Sequence, residues 1–357
     1  MPFFCAVPTS LPINPNGETS IPSAGPYYID SYTPRRQVVL KRNPNYSGPR
    51  PHRAAEIVYA LGVDQGANLR QVERGATDYA AEGLPHTAHA RIAQRFGPGS
   101  PAAKAGKQRY FVSPTLASIF LVLNTSRPLF RDVELRKAVN YAVDRSAVTA
   151  LAGTGAGDPN DQYLPPGLPG FTNRDIYPLK PDLVRARRLA RSRGGTAILY
   201  AEDFPGALEQ AQTVQANLRA IGIDVVIEQF RSREFHSRVV RKGEPFDIAF
   251  YGWFPDYPDP SDVLNSLFDG TNQPDGHTVS YFDDPGFNAR LQAAARLSGA
   301  GRYTAYSGLE VELARKAAPL VALYSRTSRD FFSARVGCHV YNPIYGIDIA
   351  ALCLRRR

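Results

Sequence analysis

The sequence predicts a mixed α/β fold in two lobes, and two observations carry that prediction. Short strands and helices alternate across the middle of the chain, as strand 196–200, helix 207–220, strand 223–228, helix 232–242 and strand 246–251. Alternation at this spacing indicates a sheet covered by helices. The chain also has 357 residues, more than the roughly 250 to 300 at which one hydrophobic core stops growing. With 43% apolar and 21% charged residues its usage is ordinary for a globular protein, which argues against disorder, collagen-like repeats and coiled coil. No apolar run, 119–123 included, comes near the roughly 18 residues a membrane-spanning helix needs.

The elements follow in order. Residues 1–34 are rich in Pro, Gly, Ser and Asn, a composition that favours turns and extended backbone over regular structure. Segments 38–41, 56–61, 109–112 and 118–123 are rich in β-branched and aromatic residues and read as strands. Helical periodicity marks 65–74 and 86–94. Asp132 is a good N-cap for a helix in which Leu135, Ala138, Val139, Ala142 and Val143 recur on one face, and the Gly- and Pro-rich loop 153–170 ends it. Asp182 caps another helix, which carries Arg185, Arg187, Arg188, Arg191 and Arg193 and stops at Gly194-Gly195. Helices at 286–297 and 303–317 and a strand at 320–324 close the series.

Chemistry concentrates after strand 246–251. There the chain runs through Gly252, Trp253, Phe254, Pro255, Asp256, Tyr257, Pro258, Asp259, Pro260, Ser261 and Asp262, and Trp253 is the only Trp. Aromatic rings supply apolar contact and a carboxylate meets a cation, so the stretch has what a cleft for an amine-bearing ligand needs. It serves equally well as a stiff turn before a helix capped by Asp259 or Asp262. The three Cys, at 5, 338 and 353, have no zinc-ribbon spacing. Cys338 and Cys353 either close a loop by a disulfide, in an oxidising compartment, or are buried thiols; both readings stay open here. Six scattered His (52, 86, 89, 236, 277 and 339) and the absence of zinc, nucleophile-elbow and phosphate-loop motifs leave no catalytic residue, metal or cofactor to assign. His86 and His89 share a helical spacing and are expected to be solvated.

Several stretches, agreeing in order and spacing, resemble the peptide-binding proteins of ABC importers, family 5 of the solute-binding proteins. Residues 38–46 are similar to that family's strand and Asn-Pro-x-aromatic turn, here Asn43-Pro44-Asn45-Tyr46. Gly75-Ala76-Thr77-Asp78 resembles its Gly-x-x-Asp turn. Leu123-Asn124-Thr125 followed by 130–145 is similar to its most recognisable signature, and the loop 253–262 to its segment after a central strand. The resemblance implies a two-lobed, type II periplasmic-binding-protein-like fold of the peptide-binding cluster. Lobe one is expected to be incomplete, because family members have a long further segment before the matched part. Residues 1–122 would be partial lobe one, 123–325 lobe two and 326–357 the return to lobe one, with hinge strands near 121–124 and 323–326.

The same resemblance implies that Asp256 receives the ligand's amino group, that Trp253, Phe254 and Tyr257 wall the site, and that Asn124 joins the ligand-binding set. It implies no enzyme activity, but extracytoplasmic capture of a peptide or other amine-bearing ligand for an ABC permease. The protein would be a monomer, reaching the membrane only through that permease or a lipid anchor in a part not present in this sequence. The first residues, Met1 to Cys5, lack the charged and apolar regions of a secretory signal. One departure from the family is that 208–213 holds no arginine for a dipeptide carboxylate, so a longer peptide or another amine is expected. Two other classes are weaker. A hydrolase using Asp256 and Asp259 lacks a nucleophile and an orienting His. A nucleic-acid binder would rest on the net charge of +9 and the Arg-rich helix, but 35 of the 42 basic residues are Arg and 7 Lys, and such a run is more often a solvated helix face.

Overall fold

The computed structural model describes residues 8–11, 14, 21–191, 193–275 and 278–355; Cys5, His277, Arg356 and Arg357 lie outside them. The chain divides into two compact units, one of residues 1–113 and 328–357, the other of residues 114–327. In this division 121–124 and 323–326 lie within the second unit.

The first unit opens with an antiparallel sheet of β1 (Tyr27–Thr33), β2 (Gln37–Arg42) and β3 (Glu56–Ala60), in that order. β1 corrects the expectation that 1–34 has no regular element. Its run of Tyr, Ile and Thr is a strand sequence placed directly after Gly25-Pro26, and the surrounding turn-forming composition hid it. Helix α1 (Gln65–Glu73) is capped by Asp64, whose carboxylate accepts from the Ala67 amide at 3.0 Å. With α2 (His89–Phe96) it buries Leu69, Val72 and Ile92 against Tyr110 and Phe331. His89 is not solvated as expected: it is 3% exposed, with Nδ1 2.9 Å from the Tyr110 hydroxyl, and burial lowers its pKa to about 4. Asp78, from the Gly-x-x-Asp turn, takes both prongs of Arg335 at 2.6 and 2.9 Å and the Ser333 hydroxyl at 3.0 Å, tying down the C-terminal segment. Farther along, Cys338 and Cys353 are joined in a disulfide where Gly337 pairs with Cys353.

The second unit is built on a six-stranded sheet whose members are β4 (Tyr110–Leu123), β5 (Gly157–Pro159), β6 (Gly195–Glu202), β7 (Ile223–Phe230), β8 (Ile248–Trp253) and β9 (Leu320–Phe331). Their spatial order is β5-β9-β4-β8-β6-β7. β6 runs parallel to β7 and β8, while β4 is antiparallel to β8 and β5 to β9. β4 is one strand rather than the two expected, because Pro114 breaks the sequence pattern. It pairs with β8 only from Ser118 to Leu123, so the missing proline N–H falls outside that ladder. β5 was not expected either, being three residues inside a Gly- and Pro-rich loop. β6 meets β7 closely enough that a Cβ on Gly194 would collide with the Gly222 carbonyl, which explains a glycine there.

The helices of this unit are α3 (Val133–Ala142), α4 (Arg145–Leu151), α5 (Leu183–Ala190), α6 (Ala207–Arg219), α7 (Ser232–Val239), α8 (Pro260–Phe268), α9 (Pro285–Ala295) and α10 (Gly299–Glu312). The signature 130–145 spends its polar groups on this core. Buried Arg136 donates to the Ala317 and Phe130 carbonyls at 2.7 and 2.6 Å, and Asn140 to Leu320 O at 3.2 Å. Arg145, fully buried, reaches Ala322 O at 2.7 Å and the Asn140 backbone and side chain at 2.8 and 3.0 Å. Buried backbone carbonyls need donors, and these long side chains supply them. The Arg-rich segment lies at the surface, where several of its arginines make contacts with the protein. Arg185 lies 4.2 Å over the Tyr141 ring, Arg187 donates to Ala220 O at 3.0 Å, and Arg193 pairs with Asp132 at 2.6 Å.

Candidate functional site

In open α/β sheets, ligands gather outside the carboxyl ends of the parallel strands. β8 ends there at Trp253, and the loop 254–259 follows. Asp262, the third residue of α8, holds this loop from inside. It is 5% exposed, and its Oδ2 accepts from Trp253 Nε1 at 3.1 Å and from the Asp256 backbone N–H at 3.0 Å. Burial raises the Asp262 pKa, the two donated hydrogen bonds opposing that shift.

Asp259 fixes the other end of the loop. Its Oδ1 caps α8 by accepting from the Ser261 amide at 2.9 Å, with Pro260 in the first helical turn. Arg302 of α10 grips both of its oxygens at 2.9 and 2.6 Å and also donates to the Ala295 carbonyl of α9 at 2.6 Å. Burial pushes the Asp259 carboxyl up, and the Arg302 and Ser261 hydrogen bonds overcome it, leaving the group below its ordinary value. The cap reading of Asp259 holds, while Asp262, the other cap candidate, is turned inward onto the loop.

Between these anchors the loop presents Asp256, Phe254 and Tyr257 outward; Phe254 is 52% and Tyr257 36% exposed, and Asp256 is exposed. Among the described residues the Asp256 carboxylate has no hydrogen bond or ion pair, although its backbone is pinned. The structure thus brings Trp253, Phe254, Asp256 and Tyr257 together. Asn124 is a correction. It follows Leu123, which pairs with Ile248 at the start of β8, while Ser118 pairs with Trp253 at the end. Five residues of strand, about 17 Å, separate the two ends. Asn124 is 1% exposed, donates to Phe246 O at 3.0 Å and accepts from Ser126 N and Oγ at 3.1 and 2.6 Å. Its amide organises the chain turn after β4 and is not available to a ligand at the loop.

One neighbour of the loop was not expected. Arg326 of β9 lays its guanidinium over the Phe254 ring, 5.1 Å from the centroid. No local motif signals this contact, because it joins residues far apart in sequence through the sheet. A separate groove of about 780 Å³, lined by Phe171, Arg174, Tyr303, Ser307 and Arg315 among others, holds none of the expected site residues. No cluster of metal-ligating side chains occurs among the described residues, and no described helix is long and apolar enough to cross a membrane.

A mixed sheet bearing helices, in a chain of two compact units through both of which β4 and β9 run, is the two-lobed fold of the type II periplasmic binding proteins. The chain belongs to the bacterial extracellular solute-binding proteins, family 5, whose middle region matches residues 6–275. A probable D,D-dipeptide-binding periplasmic protein of Escherichia coli is 23% identical over 325 residues, covering 90% of this chain and 60% of that protein. A dipeptide-binding protein of Pseudomonas aeruginosa is 22% identical over 339 residues, with the same coverage. This chain therefore spans about 60% of the length of these curated relatives. In fold it is similar to a clavulanic acid biosynthesis oligopeptide-binding protein, with TM-score 0.83, 23% identity and coverage of 94% of this chain and 63% of that one. It is also similar to a Helicobacter pylori periplasmic binding protein in complex with the peptide STSA, with TM-score 0.74, 22% identity and coverage of 93% and 63%. These relatives are named as binding proteins, not enzymes.

Proposed function

We propose that this chain captures a peptide with a free amino terminus outside the cytoplasm and delivers it to an ABC-type permease, with Asp256 receiving the ammonium group. The observation that carries the reading is the Asp256 carboxylate, exposed and unpaired among the described residues, on a backbone pinned by Asp262 and between the exposed rings of Phe254 and Tyr257. A carboxylate fixed in place and flanked by apolar faces forms a charge-assisted hydrogen bond with an ammonium without first giving up an internal partner. The names of the relatives, which bind dipeptides and oligopeptides, support the same ligand class. The protein acts as a monomer, without catalysis, cofactor or nucleic-acid partner, with residues 123–325 as lobe two and 1–122 and 326–357 in lobe one.

The two enzyme candidates have different fates in this reading: Asp259 is committed to Arg302 and to the α8 cap, while the acid next to Asp256, Asp262, is taken up by the Trp253 and Asp256 N–H groups. The test is calorimetric titration of wild type and Asp256→Ala with free and N-acetylated forms of the same peptides. The substitution is expected to weaken the free-amine peptides by about tenfold or more and the acetylated ones far less. Equal losses for both forms would refute the role of Asp256.

A further inference from the structure

The groove of about 780 Å³ beside α10 carries positive charge that nothing in its lining balances. Its floor is one face of α10, from Tyr303 through Ser307 to Arg315 in the turn beyond the helix, and its wall is the loop from Phe171 to Arg174. That loop is built against the helix along its length. At Gly170 a Cβ would lie 3.3 Å from the Tyr303 carbonyl oxygen, and the buried Ser307 hydroxyl donates to Thr172 Oγ1 at 3.2 Å. Farther along, the Arg174 amide donates to Gln162 Oε1 at 2.8 Å, and Gln162 Nε2 donates to Glu310 Oε2 at 3.2 Å, both side chains being fully buried. The Tyr177 hydroxyl donates to the Ala314 carbonyl at 2.8 Å. Phe171 therefore lies along Tyr303 and Ser307, while Arg174 lies beside the turn that carries Arg315. Both arginines are exposed, and among the described residues neither guanidinium has an ion pair or hydrogen bond. No Asp or Glu lines the groove. Asp175, next to Arg174, falls outside the lining, and Glu312, the acid nearest Arg315 in sequence, is held by Arg290 and Lys316.

We propose that this groove is a further binding site, for a phosphate monoester carried on a flat ring system, as in a mononucleotide. A carboxylate, with one charge and two oxygens, is satisfied by one guanidinium fork. Two guanidiniums without a counter-charge match a group with nearly two negative charges and three acceptor oxygens, which is a phosphate monoester at neutral pH. At the other end of the groove the rings of Phe171 and Tyr303 offer flat apolar contact for the rest of the molecule. Tyr303 and Arg315 are about 18 Å apart along the helix axis, but a long helical side chain leans toward the N-terminus, which brings the Arg315 guanidinium back toward the rings. The groove's volume lies within the roughly 300 to 1,000 Å³ of small-molecule sites. None of its lining residues belongs to the loop 253–262, so the site does not depend on Asp256.

The test is calorimetric titration of the full chain with adenosine 5′-monophosphate, adenosine and inorganic phosphate at about pH 7.5, where the ester is almost fully doubly charged. Wild type is expected to bind one monophosphate per chain, about tenfold more tightly than inorganic phosphate, and to give no binding heat with adenosine. Arg174→Gln and Arg315→Gln, each with an unchanged melting temperature, should weaken the monophosphate about tenfold. Tyr303→Ala should bring its affinity down toward that of inorganic phosphate. Arg188→Gln, which removes an exposed charge of α5 outside the groove, should leave binding as it is. Three results overturn the proposal: no binding of the monophosphate, inorganic phosphate bound as tightly as the monophosphate, or a loss in Arg188→Gln equal to that in the groove variants, which would reduce the effect to net charge.

Discussion

Asp262 shows how one buried carboxylate can build a site without touching a ligand. Its Oδ2 serves two donors, the indole of Trp253 and the amide that carries Asp256. Removing it takes this acceptor away from two part-buried N–H groups, a cost of about 1–3 kcal/mol. Asp262→Ala is therefore expected to release the loop: the emission of Trp253, the only Trp in the chain, should shift to longer wavelength and become easier to quench, and peptide binding should weaken although Asp256 is intact. Unchanged emission would show that the loop is held by other means. At this scale the sequence made the loop's residue types legible, because rings, prolines and carboxylates packed into ten positions have few uses. It misplaced Asn124, whose proximity to a family signature said nothing about which end of β8 it faces. It could not reach Arg326, because strand pairing brings that residue to Phe254.

Elements were legible where local chemistry decides them. Asp64, Asp132, Asp182 and Asp259 each cap a helix by accepting backbone N–H bonds, and three of the four were readable as caps beforehand. Elements went astray where neighbours decide: β1 is held by pairing with β2, β5 by pairing with β9, and β4 continues through Pro114. The two Cys of the C-terminal segment posed a question that spacing left open and pairing answered. The disulfide closes 15 residues next to the short ladder of Val336 and Gly337 with Leu354 and Cys353, and Arg53 donates to Cys338 Sγ at 2.9 Å. A two-residue ladder holds little by itself, and a crosslink over a loop of this size contributes about 3 kcal/mol in the chain-entropy account. Reduction, or Cys353→Ser, should make residues 338–353 the first cleaved in limited proteolysis and lower the melting temperature. Equal protection of the reduced and oxidised forms would show that packing alone holds the segment.

Over the whole molecule, the groups with displaced titrations set how stability responds to pH. Glu310 is fully buried in α10, where its carboxylate accepts from the Leu164 amide at 2.7 Å and from Gln162 Nε2 at 3.2 Å. Burial raises its pKa to about 8, the hydrogen bonds opposing that shift and nearby Asp161 adding to it. The folded protein thus holds this proton more tightly than the unfolded chain, so the stability it contributes is full below the ordinary value of 4.5 and is lost as pH rises through about 8. His89 works the other way, since its folded pKa of about 4 lies below the ordinary 6.5, and its stabilising effect is lost as pH falls between those values. The two oppose each other from 4.5 to 6.5. Above 6.5 Glu310 acts without His89, so stability should decline from pH 6.5 to 8, at no more than about 1.4 kcal/mol per pH unit. Glu310→Gln keeps the shape and an acceptor for Leu164 while removing the titration, so denaturant unfolding of that variant should lose the slope in this window and equal or exceed wild type at pH 8. A slope that survives in Glu310→Gln would assign the proton to another group and would mean that Glu310 is ionised in the folded protein at neutral pH, its charge carried by the donors of 162–164 alone.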